Sequence, residues 1–220
     1  MTFVKLLPPR WFWVVFAAAS LTFLLWPQLD IAAHRPFYRE EEGFYLRDNP
    51  IVFFIHEAVP WITRLIVLGV VGACVWHRWQ KRSLAGRQAA YLLLSLALGP
   101  GLLVNTVLKD QWGRARPSQI VEFGGDKPHT PPLVPVTNCE RNCSFVSGHA
   151  SVGFYFYSFA FLYPRHRRRI LLGATVAGGG IGLVRMMEGG HFLSDVIFCG
   201  LAVYFVAHAL HVLMFSRASG

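Results

Sequence analysis

Arg185-Met-Met-Glu-Gly-Gly-His191-Phe-Leu-Ser-Asp195 sets an imidazole, a guanidinium and two carboxylates within eleven positions, between two apolar runs. His191 and Asp195 are four residues apart, which on a helix puts them on one face, one turn from each other. A carboxylate so placed can fix the tautomer of the ring, orient it and stabilise its cationic form, as for a supported nucleophile or base. Arg185, across the Gly189-Gly190 joint, offers a planar fork of donors suited to an oxyanion. Glu188 is read as structural, ahead of a tether for Arg185 or a ligand for a sugar or an amine. The competing interpretation is a short polar loop whose charges face water, and the stretch alone does not separate the two.

Two further clusters carry chemistry: Lys109-Asp-Gln-Trp-Gly-Arg114-Ala-Arg116-Pro117, and Ser147-Gly148-His149. Whether they meet the first depends on the elements that carry them. Charged residues make up 15% of the chain and hydrophobic ones 54%, against roughly 25% and 45–50% in soluble domains. With a mean hydropathy of +0.40, this composition indicates a membrane protein. A net charge of +9 would in a soluble protein suggest nucleic acid. Here the basic residues bunch in short segments between apolar runs, so membrane topology accounts for them and no nucleic-acid partner is expected.

The apolar runs occupy residues 11–26, 61–76, 88–108, 151–163, 170–184 and 196–215. Ala17-Ala18-Ala19 resembles a signal cleavage site, yet the first run continues to Trp26, so an uncleaved helix is expected. Residues 28–49, with Glu40-Glu41-Glu42 at their centre, read as a solvated loop. Asn49-Pro50 reads as a helix start, Asn capping and Pro in the first turn. Residues 51–55 would lie at the membrane interface before Pro60 redirects the chain. The fold expected is all-α: residues 1–220 form one polytopic membrane domain, a six-helix bundle with a long polar loop between the third and fourth spans. The bilayer is its environment, and the oligomeric state is not specified.

Six spans put both termini on one side. Lys5, Arg10, Arg78, Lys81, Arg82, Arg87, the Arg165–Arg169 cluster and Arg217 fall on that side, which the positive-inside rule makes cytoplasmic. The three polar clusters then all emerge at the opposite face, each at a helix end. Three such clusters on one face are hard to explain as solvated loops.

The chemistry they suggest is phosphoryl transfer. Lys109, Arg116 and Arg185 supply cations for phosphate oxygens, and such transfers depend on positioning and charge stabilisation. Ser147 and Gly148, at a helix start, add a hydroxyl and backbone N–H groups. His191, supported by Asp195, would attack phosphorus and carry it as a phosphohistidine. His149 would protonate the leaving oxygen and then activate water. No carboxylate cluster suited to magnesium stands in the sequence, and no metal or other cofactor is expected.

Lys109-x6-Arg116-Pro117, Ser147-Gly148-His149 and Arg185-x5-His191-x3-Asp195 together resemble the tripartite signature of the type 2 phosphatidic acid phosphatase (PAP2) family. The resemblance implies six spans, a site near the outer face and a lipid phosphate substrate. It also implies phosphate binding by Lys109, Arg116 and Arg185, acid/base work by His149, and a nucleophilic His191 partnered by Asp195. Val146 and Val184 depart from it, standing where proline and serine are common. The neighbourhood Asn142-Cys-Ser-Phe-Val-Ser-Gly-His149 is similar to bacterial lipid A phosphatases. Phosphatidylglycerophosphate phosphatases, undecaprenyl pyrophosphate phosphatases and lipid phosphotransferases are the alternatives. Vanadate-dependent haloperoxidases share the anion-binding constellation but are soluble, and a lipid-binding protein with a degenerate site conflicts with the intact motif positions. Arg114 is an additional cation, one turn before Arg116 in a helical reading, either for a second phosphate or headgroup or facing solvent.

Four cysteines remain. Cys74 and Cys199 sit in apolar runs and pack as small hydrophobes. Cys139 and Cys143 share the polar loop, where a local disulfide is preferred to zinc, because His129 and His149 give no recognisable ligand spacing with them. His208 and His211 read as interfacial polarity.

Overall fold

The computed structural model describes residues 7–215, which leaves Lys5 and Arg217 outside the described residues. Helices α1 (Arg10–Leu25), α2 (Gln28–His34) and α3 (Pro50–Trp79) are followed by α4 (Ser83–Gln111). After the long polar loop come α5 (Gly148–Phe154), α6 (Tyr157–Leu162), α7 (Arg167–Met187) and α8 (Leu193–Phe215). Helix α8 lies at the centre and packs against α1, α4, α5, α6 and α7. The core around it includes Tyr91, Val104, Phe145, Phe154, Phe198 and Tyr204. Helix α3 is peripheral and presents exposed Phe53, Phe54, Trp61, Leu65 and Leu68, the surface a bilayer would solvate.

Among the described residues, four helices are long and apolar enough to cross a membrane: α3, α4, α7 with the turn before it, and α8. The six expected spans are thus not all met. Helix α1 has 16 residues, a rise of about 24 Å against the ~30 Å hydrocarbon layer. It counts only together with the following Gln28–Phe37 segment, from which it is bent by 87° at Trp26-Pro27. The run 151–163 breaks between α5 and α6, each of which is short.

Two local expectations need correction. Pro60 does not redirect the chain: α3 continues through it to Trp79. In an apolar environment with no water to satisfy freed backbone groups, the flanking chain keeps its helical bonds and tolerates one proline. Residues 28–49 are not a solvated loop throughout, because α2 buries Asp30 and His34 completely. These two lie one turn apart on the same face, and polar partners from distant segments meet both. Asn49 does cap α3, its Oδ1 accepting from the N–H groups of Ile51 (3.0 Å) and Val52 (3.4 Å).

The glycine-rich α7 packs closely on α5, as small residues permit. A Cβ on Gly153 would fall 2.5 Å from the backbone nitrogen of Gly178. This contact sets the distance between the helix that carries His149 in its first turn and the one that carries Arg185 in its last.

Candidate active site

Lys109 sits in the last turn of α4, after a widened π-helical stretch over Ala97–Leu108 in which Asn105 Nδ2 bonds the Pro100 carbonyl at 2.7 Å. Ser147 caps α5, its hydroxyl accepting from the Ala150 N–H at 3.4 Å. A Cβ on Gly148 would meet Asn105 Oδ1 and lie 3.3 Å from Lys109 Nζ, so the first and second clusters touch. The second and third are joined by the Ser147 N–H donating to the Asp195 carbonyl at 3.4 Å. The Ser118 N–H donates to the Gly189 carbonyl at 3.1 Å, which ties the loop after Arg116 to the glycine joint.

His191 is fully buried. Its Nδ1 lies 2.7 Å from the backbone carbonyl of Ser144. A carbonyl can only accept, so Nδ1 carries the hydrogen and Nε2 keeps its lone pair. Nε2 has no hydrogen-bond partner among the described residues, and the same is true of His149 Nε2 and Arg185 Nε. The charges of Lys109, Arg116 and Arg185 act on both histidines. Burial first, then Arg185, Lys109 and Arg116, holds the His191 imidazole well below its ordinary pKa. The ring is therefore a neutral imidazole facing cations. Burial and the neighbouring Arg185 also draw Arg116 downwards.

Asp195 does not hold His191 directly, contrary to the expectation from their spacing. The two share a face, but Asp195 Oδ2 is 3.9 Å from His191 Nδ1. That oxygen accepts instead from Ser144 Oγ (2.5 Å) and the Phe192 N–H (2.8 Å). Asp195 thus acts on the ring through Ser144, which binds Asp195 with its hydroxyl and His191 with its carbonyl. Ser144 was not singled out in the sequence, since a residue acting partly through its backbone leaves no signal in its type.

Arg114 is neither solvent-facing nor part of the anion site. It lies beyond the end of α4 and is fully buried, so the helical relation to Arg116 does not apply. Its Nη1 donates to Asp195 Oδ1 (2.6 Å) and Ser194 Oγ (2.8 Å), its Nη2 to Asp30 Oδ2 (2.8 Å), and its Nε to the Thr130 carbonyl (2.9 Å). The Phe192 ring covers its guanidinium, 4.1 Å from centroid to carbon. Two buried carboxylates and a planar fork satisfy one another here, which leaves this arginine no open edge for a ligand.

Arg116 and Arg185 line a cavity of about 350 Å³ with Arg47, His56, Glu57 and Glu188. Arg116 is braced by the Asn142 carbonyl, which accepts from its Nη2 (2.7 Å) and Nε (3.2 Å). Asn142 lies between the two cysteines of a Cys139–Cys143 disulfide, as expected. Glu188 does tether Arg185: its carboxylate pairs with Arg185 Nη1 and lies 3.0 Å from Nδ1 of His56. His56 in turn meets His149 edge-on, ring centroids 4.7 Å apart. His56 arrives from α3, and nothing in its local sequence marks it.

Gly190 makes room for Arg185. A Cβ there would lie 2.5 Å from Nη2 and 3.0 Å from Cζ of the guanidinium. Gly190→Ala is expected to displace that fork and weaken competitive binding of inorganic phosphate about tenfold, the worth of one charge-assisted hydrogen bond. A titration of the purified protein with phosphate measures this, and unchanged affinity would remove Arg185 from the anion site.

Lys109 and Arg185, each at a helix end, and Arg116 in the loop thus gather around a free imidazole nitrogen and a second histidine. The PAP2 superfamily matches residues 88–219, and the chain belongs to it. Similar proteins include the lipid A 4'-phosphatase of Francisella tularensis subsp. novicida, 36% identical over 216 residues, covering 93% of this chain and 94% of that one. The lipid A 4'-phosphatase of Rhizobium leguminosarum is 31% identical, covering 82% of this chain and 76% of its own. The lipid A 1-phosphatase of Rhizobium etli is 30% identical over 89% of this chain and 81% of its own. No solved structure matches.

Proposed function

We propose that this protein is a phosphatase of the inner membrane that removes a phosphate ester from lipid A at the periplasmic face, through a phosphohistidine on His191. The observation that carries the reading is the buried His191 Nε2, its lone pair left free by the bond from Nδ1–H to Ser144 and surrounded by Lys109, Arg116 and Arg185. Nε2 forms a bond to phosphorus as the ester P–O bond breaks, and His149, which takes up a proton once the bound phosphate offsets the cations around it, delivers that proton to the sugar oxygen. Neutral His149 then takes a proton from water, whose oxygen displaces the histidine and releases inorganic phosphate. The three cations and the α5 N–H groups stabilise the extra negative charge in both steps. The scheme calls for no divalent cation.

The relative with the longest coverage, a lipid A 4'-phosphatase, favours the 4'-phosphate of lipid A as substrate. Orientation follows from charge. In α7, Arg167, Arg168 and Arg169 stand at the end opposite Arg185, about 24 Å away at 1.5 Å per residue. In α4, Arg87 and Lys109 are separated in the same sense. Basic ends on the cytoplasmic side leave the site outside, where an oxidising compartment sustains the Cys139–Cys143 bond. The short α5 and α6 together, and α1, then complete six crossings.

The test is phosphate release by the purified protein, with EDTA present, from lipid A, phosphatidylglycerophosphate and undecaprenyl pyrophosphate. Mass spectrometry of the product locates the lost group. Release confined to the 4' position of lipid A is expected. Absence of release from lipid A would refute the substrate, and activity lost in EDTA but restored by magnesium or zinc would refute the metal-free scheme.

The depressed pKa of His191 has a pH consequence. Near pH 6.5 the unfolded chain takes up a proton on this residue that the native protein declines. Its contribution to stability is therefore complete above about pH 7 and is lost as pH falls through the ordinary histidine range. For the same reason the acid limb of kcat/KM is expected well below 6.5. A limb centred at 6.5 or above that moves with substitution at His191 would contradict it.

A further inference from the structure

Asp30 and His34 precede the residues matched to the family, on the helix that turns 87° away from α1. Both are fully buried against the turn that carries His191. The Asp30 carboxylate accepts from the Ser194 N–H (2.9 Å), Ser194 Oγ (2.5 Å) and Arg114 Nη2 (2.8 Å). His34 Nδ1 meets the Asp30 carbonyl at 2.7 Å, and its Nε2 meets the carbonyl of His191 at 2.9 Å. Both partners only accept, so the ring serves this turn as a donor. Phe44, Phe123 and Phe192 surround the ring, with centroids 6.3, 6.1 and 5.4 Å away, and hold it in this orientation.

We propose that Asp30 and His34 are positioning residues for the nucleophile, which makes α2 a working part of the active site. The proposal rests on His191 being that nucleophile. The His191 side chain has one tether, from Nδ1 to Ser144, and its backbone lies in a turn that follows two glycines. His34 fixes the carbonyl of His191 itself, and Asp30 fixes the N–H three residues on, where α8 starts. Together they set where Nε2 stands relative to phosphorus. Neither touches the cavity lined by Arg116 and Arg185, so the anion site should form without them.

The test uses the purified full-length protein in detergent, with His34→Leu, His34→Gln and Asp30→Asn. Leucine fills the space but donates nothing, and glutamine keeps one donor. In His34→Leu, kcat for phosphate release from lipid A is expected to fall about 100-fold, the cost of a misplacement near 1 Å. KM and the inhibition constant of inorganic phosphate should stay within about threefold, since they report ground-state binding. His34→Gln should recover about tenfold of the loss, and Asp30→Asn, which keeps an acceptor for the Ser194 N–H, should fall between. Wild-type kcat in folded His34→Leu overturns the proposal. So does a parallel loss of kcat and phosphate binding without rescue by glutamine, or failure of both His34 variants to fold, because each assigns a structural role only. If His191→Ala retained turnover in the same assay, the nucleophile assignment would fail, whatever the His34 variants did.

Discussion

His191→Ala should abolish turnover, lowering kcat on the lipid substrate by roughly 10⁴-fold or more with little change in KM, as for loss of a nucleophile acting with its partners. No other group can take its place. Nε2 is fixed by a buried ring, and the other imidazoles at the site, His56 and His149, stand on different helices. The same assignment predicts a trapped intermediate. Wild-type protein quenched during turnover of labelled substrate should carry phosphate that survives base and is lost in acid, as a phosphoramidate does, and His191→Ala should carry none. His149→Ala supplies the contrast. Its role in the first step is to protonate a poor leaving group, worth roughly 10²–10⁴-fold. An aryl phosphate leaves without that proton, so its burst of phosphorylation should survive His149→Ala and vanish in His191→Ala. Equal loss of the burst in both variants would contradict the division of roles.

The parts of the site that could be read from the sequence are those whose geometry is local. Asn49-Pro50 states its own cap, and Ser147-Gly148 states the start of α5, because the hydrogen bonds involved close within three residues. Lys109, Arg116, His149, Arg185 and His191 announce themselves by type at the ends of apolar runs. What the spacing of His191 and Asp195 misjudged is the route of support. Being four apart put them on one face, but the carboxylate found Ser144, and the ring found that residue's backbone. A carbonyl belongs to every residue, so no letter in the chain marks the one that matters. Asp30 and His34 escaped for another reason. They share the four-residue spacing of His191 and Asp195, yet the partners that tie them to the site lie 84 to 164 positions away. Within their own segment they look like ordinary solvated polarity.

Arg114 and Arg116 are two residues apart, and their replacement should give opposite phenotypes. Arg114→Met leaves the Asp30 and Asp195 carboxylates buried without their cation. Breaking a buried pair in this way costs about 3–5 kcal/mol, because the orphaned charges keep their desolvation penalty. Thermal unfolding in detergent, followed by tryptophan fluorescence, should show a midpoint lower by on the order of 10 °C. Lysine will not rescue it. One ammonium cannot span acceptors on Asp30, Thr130, Ser194 and Asp195, which the planar fork reaches together. Arg114→Met combined with Asp30→Asn should regain part of the stability by removing one uncompensated charge, without regaining turnover, since Asp195 would still lack its partner. Arg116→Met, by contrast, removes a cation that lines the open cavity and is braced only by the Asn142 carbonyl. Its unfolding midpoint should stay within a few degrees of wild type, as for substitutions outside buried networks, while phosphate binding weakens. If Arg114→Met unfolded at the wild-type temperature, the buried ion cluster would not be what joins α2 to the catalytic turn.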